Sequence, residues 1–156
     1  MDLTIRPLAS AADAAAFRTL NEEWIVRHFT LEDEDRRQLD DPVGVIVDPG
    51  GEVLVAELDG RVVGCVALRP AADGVYELSK MAVDPALHGR GVGRRVLTVA
   101  VERARRLGAT QLFLGSSTRL APAVHLYESV GFRHVPREEI DMPYARADVF
   151  MVLEVR

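Results

Sequence analysis

The stretch EVLVAEL at residues 52–58, the dipeptide Asp59-Gly60 and the run RVVGCVAL at 61–68 leave this chain little freedom in how it can fold. Both flanks are aliphatic and β-branched, and Asp-Gly tolerates positive φ at both central positions of a tight turn, so the three pieces specify a β-hairpin. Pro49, Gly50 and Gly51 break the chain before it. Ala71 to Gly74 form a second turn, and VYELSKMAV at 75–83 reads as a third long strand. Three consecutive antiparallel strands therefore occupy the middle of the chain, and the flanking segments must pack on them.

Before the hairpin, Leu3 to Leu8 alternates as a short strand with Leu3 and Ile5 on one side. Ser10 or Asp13 caps an alanine-rich helix running to about Arg27. In TLEDEDRRQLDD, Thr30 is the expected cap of a second helix, with Glu32 to Asp35 in a first turn where the helix dipole favours carboxylates. That structural account is preferred to a binding role for the acidic run. After the hairpin region, Val92 to Leu107 carries Val92, Val96, Val99, Ala100, Ala104 and Leu107 on one face, with Gly108 as the stop. QLFLGS is a strand, a helix with Pro122 in its first turn runs to Val130 before Gly131, and ADVFMVLEV ends the pattern as a strand apolar on both faces. The order β-α-α-β-β-β-α-β-α-β-β calls for a mixed α/β fold around one sheet, and no repeat or linker interrupts it. Residues 1–156 fit one domain.

A net charge of −5 argues against a nucleic-acid partner. No apolar run approaches the roughly 20 residues needed to cross a bilayer, and Met1 to Leu8 lacks an apolar signal core, which argues against a membrane partner. Cys65, the only cysteine, lies inside an apolar run and reads as a small buried hydrophobe in a reducing, cytoplasmic setting. His28, His88, His125 and His134 show no metal-ligand spacing, so no metal is expected. Arginine outnumbers lysine 18 to 1, which reads as base composition rather than function. The arginines are unevenly placed: His88 to Arg106 carries +5, leaving −10 for the rest. Such a patch on an acidic protein suits a compact anionic ligand.

Within that patch, LHGRGVGRRV places Gly89, Gly91 and Gly93 at alternate positions. A P-loop requires Gly-Lys followed by Ser or Thr, and the single lysine, Lys80, lies before the glycines. A dinucleotide fingerprint requires a third glycine where Val96 stands, and the following strand, Gln111 to Ser116, has no carboxylate. Two readings remain. One is a plain turn; the other is a glycine loop and helix start whose amides converge on a pyrophosphate, with Arg90, Arg94 and Arg95 at the rim.

The loop His88-Gly89-Arg90-Gly91-Val92-Gly93 resembles the pyrophosphate loop of the GNAT superfamily of acyl-CoA-dependent N-acetyltransferases, with His88 where that loop has Gln or Arg. A second block, APAVHLYESVGF from Ala121 to Phe132, is similar to the family's helix beside the pantetheine arm and carries Tyr127; Leu120 stands where an asparagine is common. The resemblance implies a GNAT-type mixed, mostly antiparallel central sheet flanked by helices. It implies acetyl-CoA as acyl-donor cosubstrate, no metal, and direct attack in a ternary complex by the amine of a small molecule rather than a peptide. It is also compatible with a homodimer.

The resemblance further implies that strand 75–83 splays from its neighbour, so that Met81, Ala82 and Val83 pair with pantetheine and the Met81 N–H polarises the acetyl carbonyl. His88, Gly89, Arg90, Gly91, Val92, Gly93, Arg94 and Arg95 would hold the pyrophosphate, with Ser117 and Tyr127 completing the cofactor side. Strand alternation puts Glu77, Ser79, Met81 and Val83 on one face. Glu77, eleven positions before His88, resembles the family's general base; the competing reading is a strand carboxylate paired with an arginine. Tyr127 resembles the acid that protonates the departing thiolate, with packing as its competing role. The acceptor is expected near Glu77, between the first helices and the late loop PREEIDMPYARAD, where Trp24, Arg27, Phe29, Tyr144 and Arg146 are candidates. Arg27 and Arg146 suggest an acceptor carboxylate, whereas Glu32, Asp33, Glu138 and Glu139 suggest a polyamine, and the sequence leaves both open. The rival for the whole chain is a non-catalytic acyl-CoA-binding module, against which Glu77 and Tyr127 together weigh.

Overall fold

The computed structural model describes residues 2–140 and 142–155, so Asp141 of the late loop lies outside it. Seven strands form one sheet: β1 (Leu3–Pro7), β2 (Glu52–Leu58), β3 (Arg61–Ala72), β4 (Val75–Val83), β5 (Gln111–Ser116), β6 (Arg133–His134) and β7 (Val149–Glu154). Their spatial order is β1-β2-β3-β4-β5-β7-β6, antiparallel everywhere except between β4 and β5. The hairpin closes at Asp59 and Gly60, both at positive φ, as a two-residue turn of this kind requires. The next turn is tighter than expected, because β3 runs through Ala72 and leaves only Asp73 and Gly74 to reverse the chain.

Four helices cover the sheet: α1 (Ala11–His28), α2 (Asp33–Asp40), α3 (Val92–Arg106) and α4 (Ala121–Val130). Ser10 caps α1 by accepting from the Asp13 N–H. Asp13, Phe17, Asn21 and Ile25 recur every fourth residue and bury one stripe of that helix. Phe17 and Ile25 pack with Leu39 of α2 and with Val53, Cys65, Ala67 and Ala82 on one sheet face, each large apolar side chain contributing about 1.5 to 3 kcal/mol by burial. On the opposite face, Val92, Val96, Leu97, Ala100 and Ala104 of α3 and Tyr127 of α4 meet Leu54, Val66, Leu68, Leu78 and Leu112. Gly108 and Gly131, at positive φ, follow the ends of α3 and α4.

Two local expectations change, and one element is new. Thr30 is not the cap of α2; Glu32 occupies that position, and its N–H donates to the Asp35 carboxylate at 2.9 Å. Val43–Val47 form a π-helical turn, closed by the Asp48 N–H on the Val43 carbonyl at 2.8 Å. The second change concerns β4. Between the pairs Ala67↔Ser79 and Cys65↔Ala82, β4 carries one more residue than β3, and Lys80 takes φ +54°. This bulge breaks the alternation. Met81 and Val83 pack with the α3 side of the sheet, whereas Glu77 and Lys80 meet polar groups of β3 and α2 on the other side. The expected common face of Glu77, Ser79, Met81 and Val83 is thereby split.

Candidate active site

β4 pairs with β5 only over Val75↔Gln111, Tyr76↔Leu112 and Glu77↔Phe113. Beyond Glu77 the two strands part, and a cavity of about 800 Å³ opens between them. Met81, Ala82 and Val83 line it along the freed edge, where backbone groups lack a strand partner on the β5 side. Burial at a sheet edge without a neighbour requires some other hydrogen-bonding group to fill the gap.

The glycine loop closes one end of this cavity. Gly89 and Gly91 have φ +77° and +83°, which favours glycine, and a Cβ at either would meet nothing within 4 Å. Gly93 sits in ordinary helical backbone, where a Cβ would touch Leu126 at 3.6 Å. Arg95 is the first α3 residue whose amide reaches back into the chain, to the Gly91 carbonyl at 3.1 Å. The preceding amides of Val92, Gly93 and Arg94 carry the positive end of the helix dipole toward the cavity mouth. His88, which also lines the cavity, places Nε2 3.1 Å from the Val83 carbonyl and so ties the loop to the end of β4. Arg94 lines the cavity too, with one N–H on the Ser129 hydroxyl at 2.9 Å. Arg90 and Arg95 are exposed and outside the lining.

Ser117 and Tyr127 complete this half. Ser117 is buried and its hydroxyl accepts from the Arg119 N–H at 3.2 Å. Tyr127 stacks edge-on against Phe132 at 5.9 Å between ring centroids. Burial pushes its hydroxyl up to about 12, and no hydrogen bond among the described residues engages it. A phenol so held stays protonated and can donate to a group arriving in the cavity.

The other half is built from α1, β4 and the loop before β7. Glu77 is buried in the lining and accepts from Arg69 Nη1 at 2.6 Å. Burial raises its carboxyl above the ordinary range, only partly offset by Arg69. The arginine pairing of the competing reading is thus present, in a carboxylate that also lines the cavity. Trp24, Phe29, Tyr144 and Arg146 also line this half, whereas Arg27 is exposed in the last turn of α1, outside the lining.

A buried cluster backs this chamber. Asp35 accepts from Lys80 Nζ at 2.7 Å and from Arg146 through Nη1 at 2.7 Å and Nη2 at 2.8 Å. Lys80 also donates to the Tyr144 hydroxyl at 2.9 Å, and Gln38 Nε2 donates there at 3.1 Å. Burial would raise the Asp35 carboxyl, but the hydrogen bonds from Arg146 and Lys80 prevail and hold it at about 2. Burial lowers Lys80, against the pull of Asp35. The sequence places Asp35 in a helix first turn that favours carboxylates and marks no role for Lys80. The available signal was Lys80 itself, one lysine among 18 arginines and set in a strand. Arg119, also missed, lines the cavity with its guanidinium 5.6 Å from the Phe29 ring. Among the described residues, no group of three or more His, Cys, Asp or Glu side chains is arranged to hold a metal ion, and no helix is long and apolar enough to cross a membrane.

Residues 14–132 match the model of the acetyltransferase (GNAT) family. The chain is 33% identical over 149 residues to a mycothiol acetyltransferase of Thermomonospora curvata, which covers 91% of this chain and 47% of that protein. It spans between 45% and 60% of the length of the first three curated relatives it matches. An acetyltransferase of the GNAT family from Staphylococcus aureus superposes with a TM-score of 0.90 at 16% identity, covering 99% of this chain and 100% of that one. yncA from Salmonella typhimurium, solved with its cofactor acetyl-CoA, superposes with a TM-score of 0.73 at 27% identity, covering 99% and 94%.

Proposed function

The chain belongs to the GNAT acetyltransferase family, and from that membership we propose that it transfers the acetyl group of acetyl-CoA to the amine of a small-molecule acceptor by direct attack in a ternary complex. One observation carries the reading: a single cavity holds a glycine loop, a freed strand edge, a buried carboxylate raised above its usual range and a phenol whose hydroxyl has no hydrogen-bond partner among the described residues. The yncA structure with acetyl-CoA supports the choice of donor.

The residues fit that donor. The positive-φ glycines and the first amides of α3 suit a pyrophosphate, and the unpaired edge at Met81, Ala82 and Val83 suits the amide-bearing pantetheine arm. Bound acetyl-CoA supplies an activated thioester. Glu77 takes the proton that an acceptor ammonium must lose before its nitrogen can attack, and its raised affinity for protons suits the task. The Met81 N–H is the candidate donor toward the carbonyl oxygen as negative charge develops there. Tyr127 gives its proton toward the sulfur side, a transfer that a hydroxyl without a hydrogen bond among the described residues performs without first breaking one. Trp24, Phe29 and Tyr144 exclude water from the acceptor chamber.

The test is thiol release from acetyl-CoA across amines, peptides and aminoglycosides, with mass spectrometry of the products. An acetylated small amine supports the reading. Binding of acetyl-CoA with no thiol release from any acceptor assigns the chain to non-catalytic acyl-CoA binding instead.

A further inference from the structure

Cations and aromatic rings alternate along one wall of the acceptor chamber. Lys80 Nζ lies 4.4 Å from the centroid of the Tyr144 ring, and the Arg146 guanidinium lies 4.4 Å from the same centroid. Arg146 also stands 5.9 Å from the Phe29 ring, and Arg119 stands 5.6 Å from it. The ladder runs from beside Glu77 to the mouth, where Phe29, Arg119 and Arg146 also border a second, smaller cavity.

The cations differ in how they are satisfied. Lys80 and Arg146 share Asp35, and Arg146 adds Glu32 at 3.3 Å. Arg119 forms no ion pair among the described residues, and its guanidinium makes one long bond, 3.4 Å, to the His28 carbonyl. The nearby Asp148 carboxylate accepts from the Thr118 N–H and hydroxyl at 2.8 and 3.0 Å and makes no ion pair with Arg119, whose charge nonetheless helps to lower its carboxyl. The mouth therefore presents a guanidinium with most of its donors free, beside a second one whose Nε has no acceptor among the described bonds.

Of the acids that suggested a polyamine, Glu32 alone borders the mouth, in the smaller cavity and engaged there. Glu138 and Glu139 are exposed in a turn, Asp33 faces solvent, and Glu32 is engaged by Arg146 and the Ala145 N–H. None of them lines the main cavity. Asp35 and Glu32 offset Lys80 and Arg146, so the cation that an acceptor with only positive charge must pass without an ion-pair partner among the described residues is Arg119, a like-charge approach that costs affinity. A planar carboxylate at the other end of the acceptor removes that penalty and matches the guanidinium fork.

Resting on the acetyltransferase reading, we propose that the acceptor is an amino acid whose carboxylate is held at the mouth by Arg119 with Arg146, its amine directed toward Glu77. Arg119 is then a specificity-determining residue.

The experiment measures, by calorimetry on the CoA-loaded protein, the binding of L-amino acids, β- and γ-amino acids and their carboxamides, alongside thiol release from acetyl-CoA with the same compounds. At least one acid should bind roughly ten- to hundredfold more tightly than its amide, the range expected for losing charge-assisted hydrogen bonds. Arg119→Gln, at an exposed position, should erase most of that preference, and Arg119→Lys should restore part of it. Amides that bind as well as acids, a preference unchanged in Arg119→Gln, or no binding by any acid overturns the proposal. An acid preference without thiol release keeps the carboxylate site at Arg119 and sinks the acetyl-transfer reading. Thiol release with no acid preference does the reverse.

Discussion

Replacing Asp35 by leucine removes the one carboxylate that Lys80 and Arg146 share. Asp35 accepts four hydrogen bonds, from the Glu32 N–H, Lys80 Nζ and two nitrogens of Arg146. Without it, Lys80 keeps only the Tyr144 hydroxyl, and two cations remain in a buried site. Removing one member of such a pair costs about 3 to 5 kcal/mol. Lys80→Met is milder, because Asp35 retains Arg146 and the Glu32 amide, and Tyr144 retains the Gln38 donor; about 1 to 2 kcal/mol is expected. In a chain of this length each kcal/mol moves Tm by about 2 to 4 °C. Asp35→Leu should therefore lower Tm by roughly 6 to 20 °C and Lys80→Met by roughly 2 to 8 °C. Urea titrations should show the loss in the midpoint at unchanged m, and the double variant should cost about 1 to 3 kcal/mol less than the sum. The penalty also has a pH signature. Because the native carboxyl is held at about 2, its contribution is complete above the ordinary carboxyl range near 4 and fades as pH falls toward 2, so the variants should converge in acid. If Lys80→Met costs as much as Asp35→Leu, or the two costs simply add, the shared-carboxylate account is wrong.

Three further outcomes bear on the proposed chemistry. Tyr127→Phe should lower kcat by about a hundredfold while leaving CoA affinity intact, and unchanged turnover in single-turnover kinetics removes Tyr127 as the acid. Glu77 is raised by burial, so wild-type kcat should rise with pH as its carboxyl ionises; Glu77→Gln should flatten that limb, its loss growing as pH rises through the Glu77 titration and shrinking at low pH where the wild-type carboxyl is itself protonated, and an unaltered pH profile dismisses the role. Gly91→Ala meets no atom within 4 Å but must hold φ +83°, a strain of about 1 to 2 kcal/mol for an L-residue. CoA binding by calorimetry should weaken roughly 5- to 30-fold, and full affinity would mean that the left-handed turn is not what shapes the loop.

What the sequence displayed well was local. Asp59-Gly60 specified its hairpin, Gly108 and Gly131 marked two helix ends, and the alternating glycines marked a left-handed loop at Gly89 and Gly91 ahead of α3, because each feature is fixed by the φ preferences of adjacent residues. The acceptor half was less visible. Asp35 meets partners 45 and 111 positions away, and without them an acid in a first turn reads only as a complement to the helix dipole. The bulge at Lys80 was hidden for a related reason: period-two alternation continues on paper through VYELSKMAV, and only pairing with β3 reveals the extra residue. Gly93 shared a spacing with Gly89 and Gly91 but not their backbone conformation.

Lys80 is the chain's one lysine, its side chain 3% exposed and bonded to Asp35 and Tyr144. The folded surface therefore presents arginine wherever it presents a long cationic side chain, and guanidinium, protonated throughout the working pH range, is no nucleophile toward a thioester. A protein that handles activated acetyl groups, as proposed, thus offers them no exposed ε-amine to modify by accident. The same arrangement makes the chain its own reporter: a lysine-directed reagent can label it at one ε-amine, and the rate of that labelling measures how often the floor of the acceptor chamber comes open.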